Sequence, residues 1–496
     1  MASLLLRWGV FLGLAGAAFA GPFQFDPLRH SCGVCREVQR GLGCEHFGAC
    51  GLVNATAAAA GCDAFCPPAA AAPAPVHATA PDVRVTKGFG TKAYDQVRIS
   101  VISRSAAPPS AGFFDYSAQF RYKWTDNYLH TALKTAVPGG AAAFDVGAEV
   151  SVRLPSRGAG VAAVLIADPC VTDGVLTWVF CKFGSRFQTK TRTPALINAF
   201  VPDNSTDFWG ILGDNFYDRS GSITESVFSG ISLAAKSKLF VTVPGNHDYW
   251  VMGDPHVSTV LDQCANGFMQ FYAQDAKAAE AVQAGSPAAP FDFSVDPNKG
   301  RTLGLGCNPT ALTNTFWYNQ IGNVGIVGQS GAHDLEESRP LMAEACAWLG
   351  QQPGLRVALL LGHWDLPGLG ADPEMAMPKW YSEMAVLPGC DKFKQRGMLK
   401  YVMGHTHCND PHPYGDVGAG FRVAGFGMDG CGNYGVPILD TTEDRVRFWY
   451  FDTQTDELYD KVMACVTQSG WRGCLDLATT WLDEPLGPAA AVELLM

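Results

Sequence analysis

Five short apolar runs recur between residues 161 and 403, and each ends on a polar residue just past its last apolar position. They are Val161–Ala167, closing on Asp168; Phe208–Leu212, closing on Gly213-Asp214; Lys238–Val243, closing on Pro244-Gly245-Asn246; Val357–Leu361, closing on Gly362-His363; and Leu399–Met403, closing on Gly404-His405. Runs that are largely apolar rather than alternating predict strands buried on both faces. In open α/β sheets the ligand crevice lies beyond the carboxyl ends of such strands. The pattern therefore predicts a site at one rim of a buried sheet.

Upstream the pattern differs. Val83–Val85, Gln96–Ser103, Ser117–Trp124 and Glu149–Leu154 alternate with period two and are separated by Gly, Pro and Asp clusters. This predicts a small β-sandwich-like domain over 81–157; the alternative is that these strands edge the sheet of the following domain, 158–451. Helical spacing appears in Pro340–Gly350, with Leu341, Ala345 and Trp348 on one face. A C-terminal extension, 452–496, holds an amphipathic piece around Leu458–Cys465.

Composition then places the chain. Met1–Ala20 has a single basic residue, Arg7, an apolar run and a small-residue ending, which predicts a secretory signal peptide over 1–20. Six of the 16 Cys crowd into 21–68 (Cys32, Cys35, Cys44, Cys50, Cys62 and Cys66). Such a segment is too small to cohere by core burial, so disulfides are expected, with a zinc site on Cys32, Cys35, Cys44 and His46 as the alternative. Residues 69–80 read as an Ala/Pro linker. The expected compartment is the secretory pathway, ending outside the cell or in a lysosome or vacuole. Asn54 and Asn204 begin sequons and are expected glycosylation sites. No later stretch reaches ~18 uncharged apolar residues, so no transmembrane span is expected. A net charge of −11 argues against nucleic-acid binding and against docking on anionic lipid by charge.

The five strand ends together present Asp168; Gly213-Asp214-Asn215-Phe216-Tyr217; Gly245-Asn246-His247-Asp248; Gly362-His363; and Gly404-His405-Thr406-His407. Carboxylate, amide, phenolate and imidazole form a mixed oxygen and nitrogen donor set, suited to Fe, Zn or Mn. The order of these motifs resembles the calcineurin-like metallophosphoesterase superfamily. The Gly-Asp-Asn-Phe-Tyr block is similar to the purple acid phosphatase branch. The resemblance covers roughly residues 160–450 and implies a metallophosphoesterase-type α/β sandwich, two packed mixed β-sheets flanked by helices.

Carried over by position, the resemblance implies two metal ions. Asp168, Asp214, Tyr217 and His407 would hold Fe(III). Asp214, Asn246, His363 and His405 would hold a divalent partner (Fe, Zn or Mn), with Asp214 bridging. His247 would contact phosphate and protonate the leaving alkoxide, and Asp248 could orient His247. A metal-bound hydroxide would be the nucleophile. The implied activity is hydrolysis of phosphomonoesters, on small molecules or phosphoproteins, by a secreted acid phosphatase. The alternatives are a phosphodiesterase, sphingomyelinase-like or nucleotide-directed, and an inactive binding protein of the same fold.

Several positions depart from the pattern. Where the branch has Asp-Trp-Gly, this chain has Asp168-Pro169-Cys170. Cys170 stands where other members place a ligating His, so it is either a thiolate ligand or half of a disulfide, with Cys181 a candidate partner. Asp173 competes with Asp168 as first ligand if the strand register shifts. His256, His333 and His412 are further candidates for the pocket. Trp364 and Tyr249-Trp250 are expected to pack at the rim, and Gly427–Gly435 to form a turn near the site.

Overall fold

The computed structural model describes residues 81–87, 93–119, 127–171, 188–216, 221–248, 268, 272, 316–331, 335–365, 376–412, 416, 418–424 and 433–487. The expected signal peptide, the Cys-rich segment, the linker and Asn54 lie outside these residues.

In chain order the elements are β1 (Asp82–Lys87), β2 (Gln96–Ser103), β3 (Tyr116–Gln119), β4 (Tyr128–Thr135), β5 (Gly140–Asp145), β6 (Glu149–Leu154) and β7 (Ala162–Ile166). There follow α1 (Thr189–Phe200), β8 (Phe208–Leu212), α2 (Ser222–Gly230), α3 (Leu233–Lys236), β9 (Leu239–Val243), β10 (Phe316–Ile321), β11 (Val324–Gln329), α4 (Leu335–Gln351) and β12 (Val357–Gly362). The chain continues through α5 (Met377–Met384), α6 (Cys390–Gln395), β13 (Leu399–Met403), β14 (Asp410–Pro411), β15 (Gly420–Arg422), β16 (Gly435–Asp440), β17 (Arg445–Asp452), α7 (Asp456–Ser469) and β18 (Ala478–Pro485).

The strands form two mixed sheets and a hairpin. The larger sheet runs β18-β17-β16-β7-β8-β9-β1-β2-β4-β3, and the smaller runs β10-β11-β12-β13-β15-β14. At the heart of each, β7, β8 and β9, and β11, β12 and β13, pair in parallel. All five predicted strands are present and fully buried.

Alternation within the buried strands shows the layering. In β7, Ala163 and Leu165 join the core shared with the smaller sheet, while Ala162, Val164 and Ile166 join a second core with α1, α2 and α7. In β10, Trp317 Nε1 donates to the Thr242 carbonyl of the opposite sheet at 3.0 Å, whereas the adjacent Tyr318 hydroxyl reaches Glu344 of α4 at 2.6 Å. The architecture is therefore helix, sheet, sheet, helix: an α/β sandwich.

The β-rich segment is not a separate sandwich. β1 pairs in parallel with β9, so β1, β2, β4 and β3 extend the larger sheet. The reason is visible in β1. Val83 and Val85 enter the inter-sheet core, while Arg84 between them stacks over the Phe228 ring of α2 at 3.4 Å. Both faces of the strand are thus committed to the body of the larger sheet. The amphipathic C-terminal piece is α7, capped by the Thr455 side chain, which accepts from Leu458 N at 3.2 Å.

Candidate metal centre

The five strands deliver their polar residues to a single rim, and the backbone bends sharply to do so. Asp168, Asp214, His405 and His407 all have positive φ, between 45° and 69°. Asp and His tolerate this left-handed region better than bulkier residues. Such strain concentrates where the surrounding structure fixes a functional group.

Two buried carboxylates form the centre. Asp168 Oδ1 lies 3.1 Å from His407 Nε2 and 3.9 Å from His363 Nε2. Its other oxygen accepts from the His405 backbone N–H at 2.9 Å. Asp214 Oδ1 lies 3.3 Å from His363 Nε2 and accepts from His247 N at 2.8 Å; Oδ2 lies 3.9 Å from His247 Nε2. Asn246 Oδ1 and His405 Nδ1 meet at 3.2 Å. One donor atom each from Asp168, Asp214 and His407 falls within 4.8 Å of the others.

His363 shows that this donor set fits a metal. Its Nδ1 is 2.9 Å from the Leu212 carbonyl oxygen, an acceptor only, so Nδ1 carries the proton. Nε2 is thereby left to face the carboxylates; it is fully buried and has no aligned hydrogen bond. A backbone carbonyl holding the far nitrogen of an imidazole is the usual outer support of a metal-ligating histidine. Close approach of the loops depends on glycine. A Cβ on Gly404 would stand 2.6 Å from Asp168 Oδ2 and 2.7 Å from His363 Nδ1.

The electrostatics agree. Burial disfavours the charged form of His363, but Asp214 and Asp168 outweigh it and raise the imidazole to about 10. Burial would raise Asp214, yet His363 and His247 hold it below the usual carboxylate range. His405 is lowered to about 4, by burial first and then by His363. The cluster is an anionic cavity in which a trapped proton does what a cation would do.

The structure brings together Asp168, Asp214, Asn246, His247, His363, His405 and His407. Tyr217, Asp173, Cys181, Tyr249, Trp250, His256 and His333 lie outside the described residues, as does most of Gly427–Gly435. Asp248 is engaged with the backbone. Its two carboxylate oxygens accept from backbone N–H groups, Asn215 at 3.0 Å and Gly245 at 2.7 Å, and so tie the second motif to the third. Cys170 is disulfide-bonded and offers no thiolate; its partner lies outside the described residues. His412 Nδ1 bonds the Tyr401 hydroxyl at 2.7 Å. Trp364 is fully buried, edge-on to His363 with ring centroids 5.4 Å apart. Asn204 is exposed on the loop between α1 and β8. Two contributors escape a reading of side chains: the Leu212 carbonyl leaves no trace in sequence, and Asn215, linked to Thr242 Oγ1 at 3.2 Å, was visible only as the residue after Asp214. Among the described residues, no helix is long and apolar enough to cross a membrane.

No protein-family model matches the chain, and no curated protein does. Among solved structures, it is similar to that of PhoD, at 12% identity and a TM-score of 0.39, covering 76% of this chain and 87% of the other. It is also similar to a dimetal phosphatase from Danio rerio, at 11% identity and a TM-score of 0.30, covering 60% and 96%. A third is a predicted phosphoesterase from Streptococcus pneumoniae, at 7% identity and a TM-score of 0.24, covering 59% and 90%. At these scores the likeness carries no inference about chemistry, which rests on the donor geometry.

Proposed function

We propose that the chain is a binuclear-metal phosphoester hydrolase of the calcineurin-like type, acting on phosphomonoesters as an acid phosphatase. The observation that carries the reading is the convergence of Asp168, Asp214 and His407 within 4.8 Å, buried at the shared rim of two sheets. Asp168 and His407, with Tyr217, would hold one ion. Asn246, His363 and His405 would hold the other, with Asp214 between them. The second pair of donors, Asn246 Oδ1 and His405 Nδ1, already converges at 3.2 Å. Bound metals supply Lewis acidity and lower the pKa of water toward neutrality. The chain's own residues do the rest. Asp214 turns Oδ1 toward His363 and Oδ2 toward His247. His247, 21% accessible in its side chain, has its Nε2 3.9 Å from Asp214 Oδ2, and from there would give a proton to a leaving oxygen. The layer of buried strands beneath keeps the ligands rigid.

The test is metal content and visible spectrum of the purified protein, with p-nitrophenyl phosphate assayed against its bis-ester. The reading expects about two metals per chain, turnover of the monoester, and a charge-transfer band from Tyr217 on Fe(III). Turnover of the bis-ester alone would leave a metallohydrolase but defeat the monoesterase. Absence of bound metal and of both activities would favour a binding protein.

A further inference from the structure

A second polar cavity opens on the opposite rim of the larger sheet. It has a volume of about 280 Å³. Its walls include Gly160 and Asp207, which lie two residues before β7 and one before β8, whereas Asp168 and Asp214 follow the other ends of those strands. Strand length separates it from the metal centre, roughly 15 Å at 3.3 Å per residue.

The cavity's chemistry is mixed rather than charged in one sense. Arg153 and Arg472 supply guanidinium donors, Asp207 a carboxylate, and Ser156, Ser205 and Thr442 hydroxyls that both donate and accept. Arg472 is held by Asp440 in a two-pronged pair at 2.9 and 3.0 Å. Arg153 donates to the Asn204 carbonyl at 3.1 Å, which ties the 204 loop to the cavity wall. An ion of either sign would meet its own charge here. A neutral ligand rich in hydroxyl and amide groups would find a partner for each.

Asn204 lines the same cavity, is exposed, and begins the sequon Asn204-Ser205-Thr206. We propose that Asn204 carries an N-linked glycan whose first sugar, an N-acetylhexosamine, folds back into this cavity. The sugar's acetamide and ring hydroxyls match the mixed lining, and the tether holds it there at high effective concentration. The folded geometry also dictates when attachment happens. The Thr206 hydroxyl is fully buried, donating to the Phe200 carbonyl at 2.8 Å and accepting from Trp471 Nε1 at 3.1 Å. The sequon must therefore be read on the extended chain, before β8 docks. The proposal rests on passage through a secretory lumen and is independent of the metal centre.

The experiment uses the full chain secreted from a eukaryotic host. Glycopeptide mass spectrometry should find Asn204 occupied. Endoglycosidase release from the native protein should be about tenfold slower, or more, than from the denatured protein, since the sugar must first leave the cavity. Ser156→Trp fills the cavity, and Arg153→Ala removes a wall; either should bring native release close to the denatured rate. Asn204→Gln, which leaves the Thr206 bonds intact, should lower Tm. The proposal is overturned by an unmodified Asn204 in the secreted protein, by native release as fast as denatured, or by protection that survives both cavity variants.

Discussion

His363 Nδ1 donates to the Leu212 carbonyl at 2.9 Å, and this one bond decides what the opposite nitrogen can do. The carbonyl cannot donate, so Nδ1 keeps its proton, and Nε2, 3.3 Å from Asp214 Oδ1, is the nitrogen left to exchange its proton for a metal. The end of β8 thus orients a residue delivered by β12 in the other sheet. Replacing His363 by Ala should lower bound metal by about one ion per chain. Activity should fall to background at every metal concentration, because the donor is gone rather than misaligned. Metal analysis beside a phosphatase assay checks this; full metal content in the variant would remove His363 from the centre.

Asp248 gives a different signature. Its oxygens accept from Asn215 N and Gly245 N, so Asp248→Asn puts an amide where one backbone donor points. A buried donor without an acceptor costs about 1–3 kcal/mol. Metal affinity should drop by roughly 10–100-fold, as for other outer-shell supports. Because no reacting atom is touched, excess metal should restore most of kcat. If kcat instead stays low at saturating metal with a shifted pH profile, Asp248 acts through His247 after all.

How much of this could be read from the chain is clear from particular residues. The five central strands were legible because they are buried on both faces, which leaves an unbroken apolar run closed by a polar residue. Strand β1 was legible as a strand but not as a member of the larger sheet. Its alternation of Val83, Arg84 and Val85 resembles a half-exposed strand, and only the structure shows Arg84 stacked on Phe228 in a buried layer. Strand β4 went unread because Tyr128–Thr135 mixes His, Thr and Lys among its apolar positions, although His130 is fully buried and bonded to the Ser117 hydroxyl at 2.8 Å. At the site, the donor types that converge were legible as the polar residues closing the five apolar runs. The support from a backbone carbonyl was not, and Asp248 could not be told from a proton relay without its hydrogen bonds.

Lys87 makes stability depend on pH. Burial pushes its ammonium down to about 7, against the opposing pull of Asp95. Its Nζ donates to the carbonyls of Tyr94 and Gln96. A depressed folded-state pKa means that the unfolded chain binds more protons between about pH 7 and the ordinary lysine value. Stability from this group is therefore complete above the unfolded pKa and lost as pH falls toward 7. The effect is on the order of a few kcal/mol, and Lys236, lowered to about 8 by burial, adds in the same direction. Urea midpoints for the wild type should rise from pH 7 to pH 10, and Lys87→Met should flatten that slope. Equal slopes would place Lys87 in water.

The disulfides divide into two groups with opposite consequences. Cys346 and Cys390 join α4 to α6 on the helical layer of the smaller sheet, across 44 residues of sequence. Closing a loop of that size removes denatured-chain entropy worth roughly 4 kcal/mol. The double replacement by Ala should therefore lower the urea midpoint strongly while folded protein keeps its metal. Cys170 and Cys408, both disulfide-bonded, instead flank the turns at Asp168 and His407, where φ is positive and the Asp168–His407 contact is 3.1 Å. Releasing Cys170 by replacement with Ser frees a strained turn to relax toward ordinary backbone geometry. Metal affinity should fall by about 10-fold or more, with a smaller loss of global stability. Metal content and urea midpoint measured on both variants separate the cases. Equal ratios of the two effects would mean that the bonds beside the site are ordinary staples, with no role in holding its ligands.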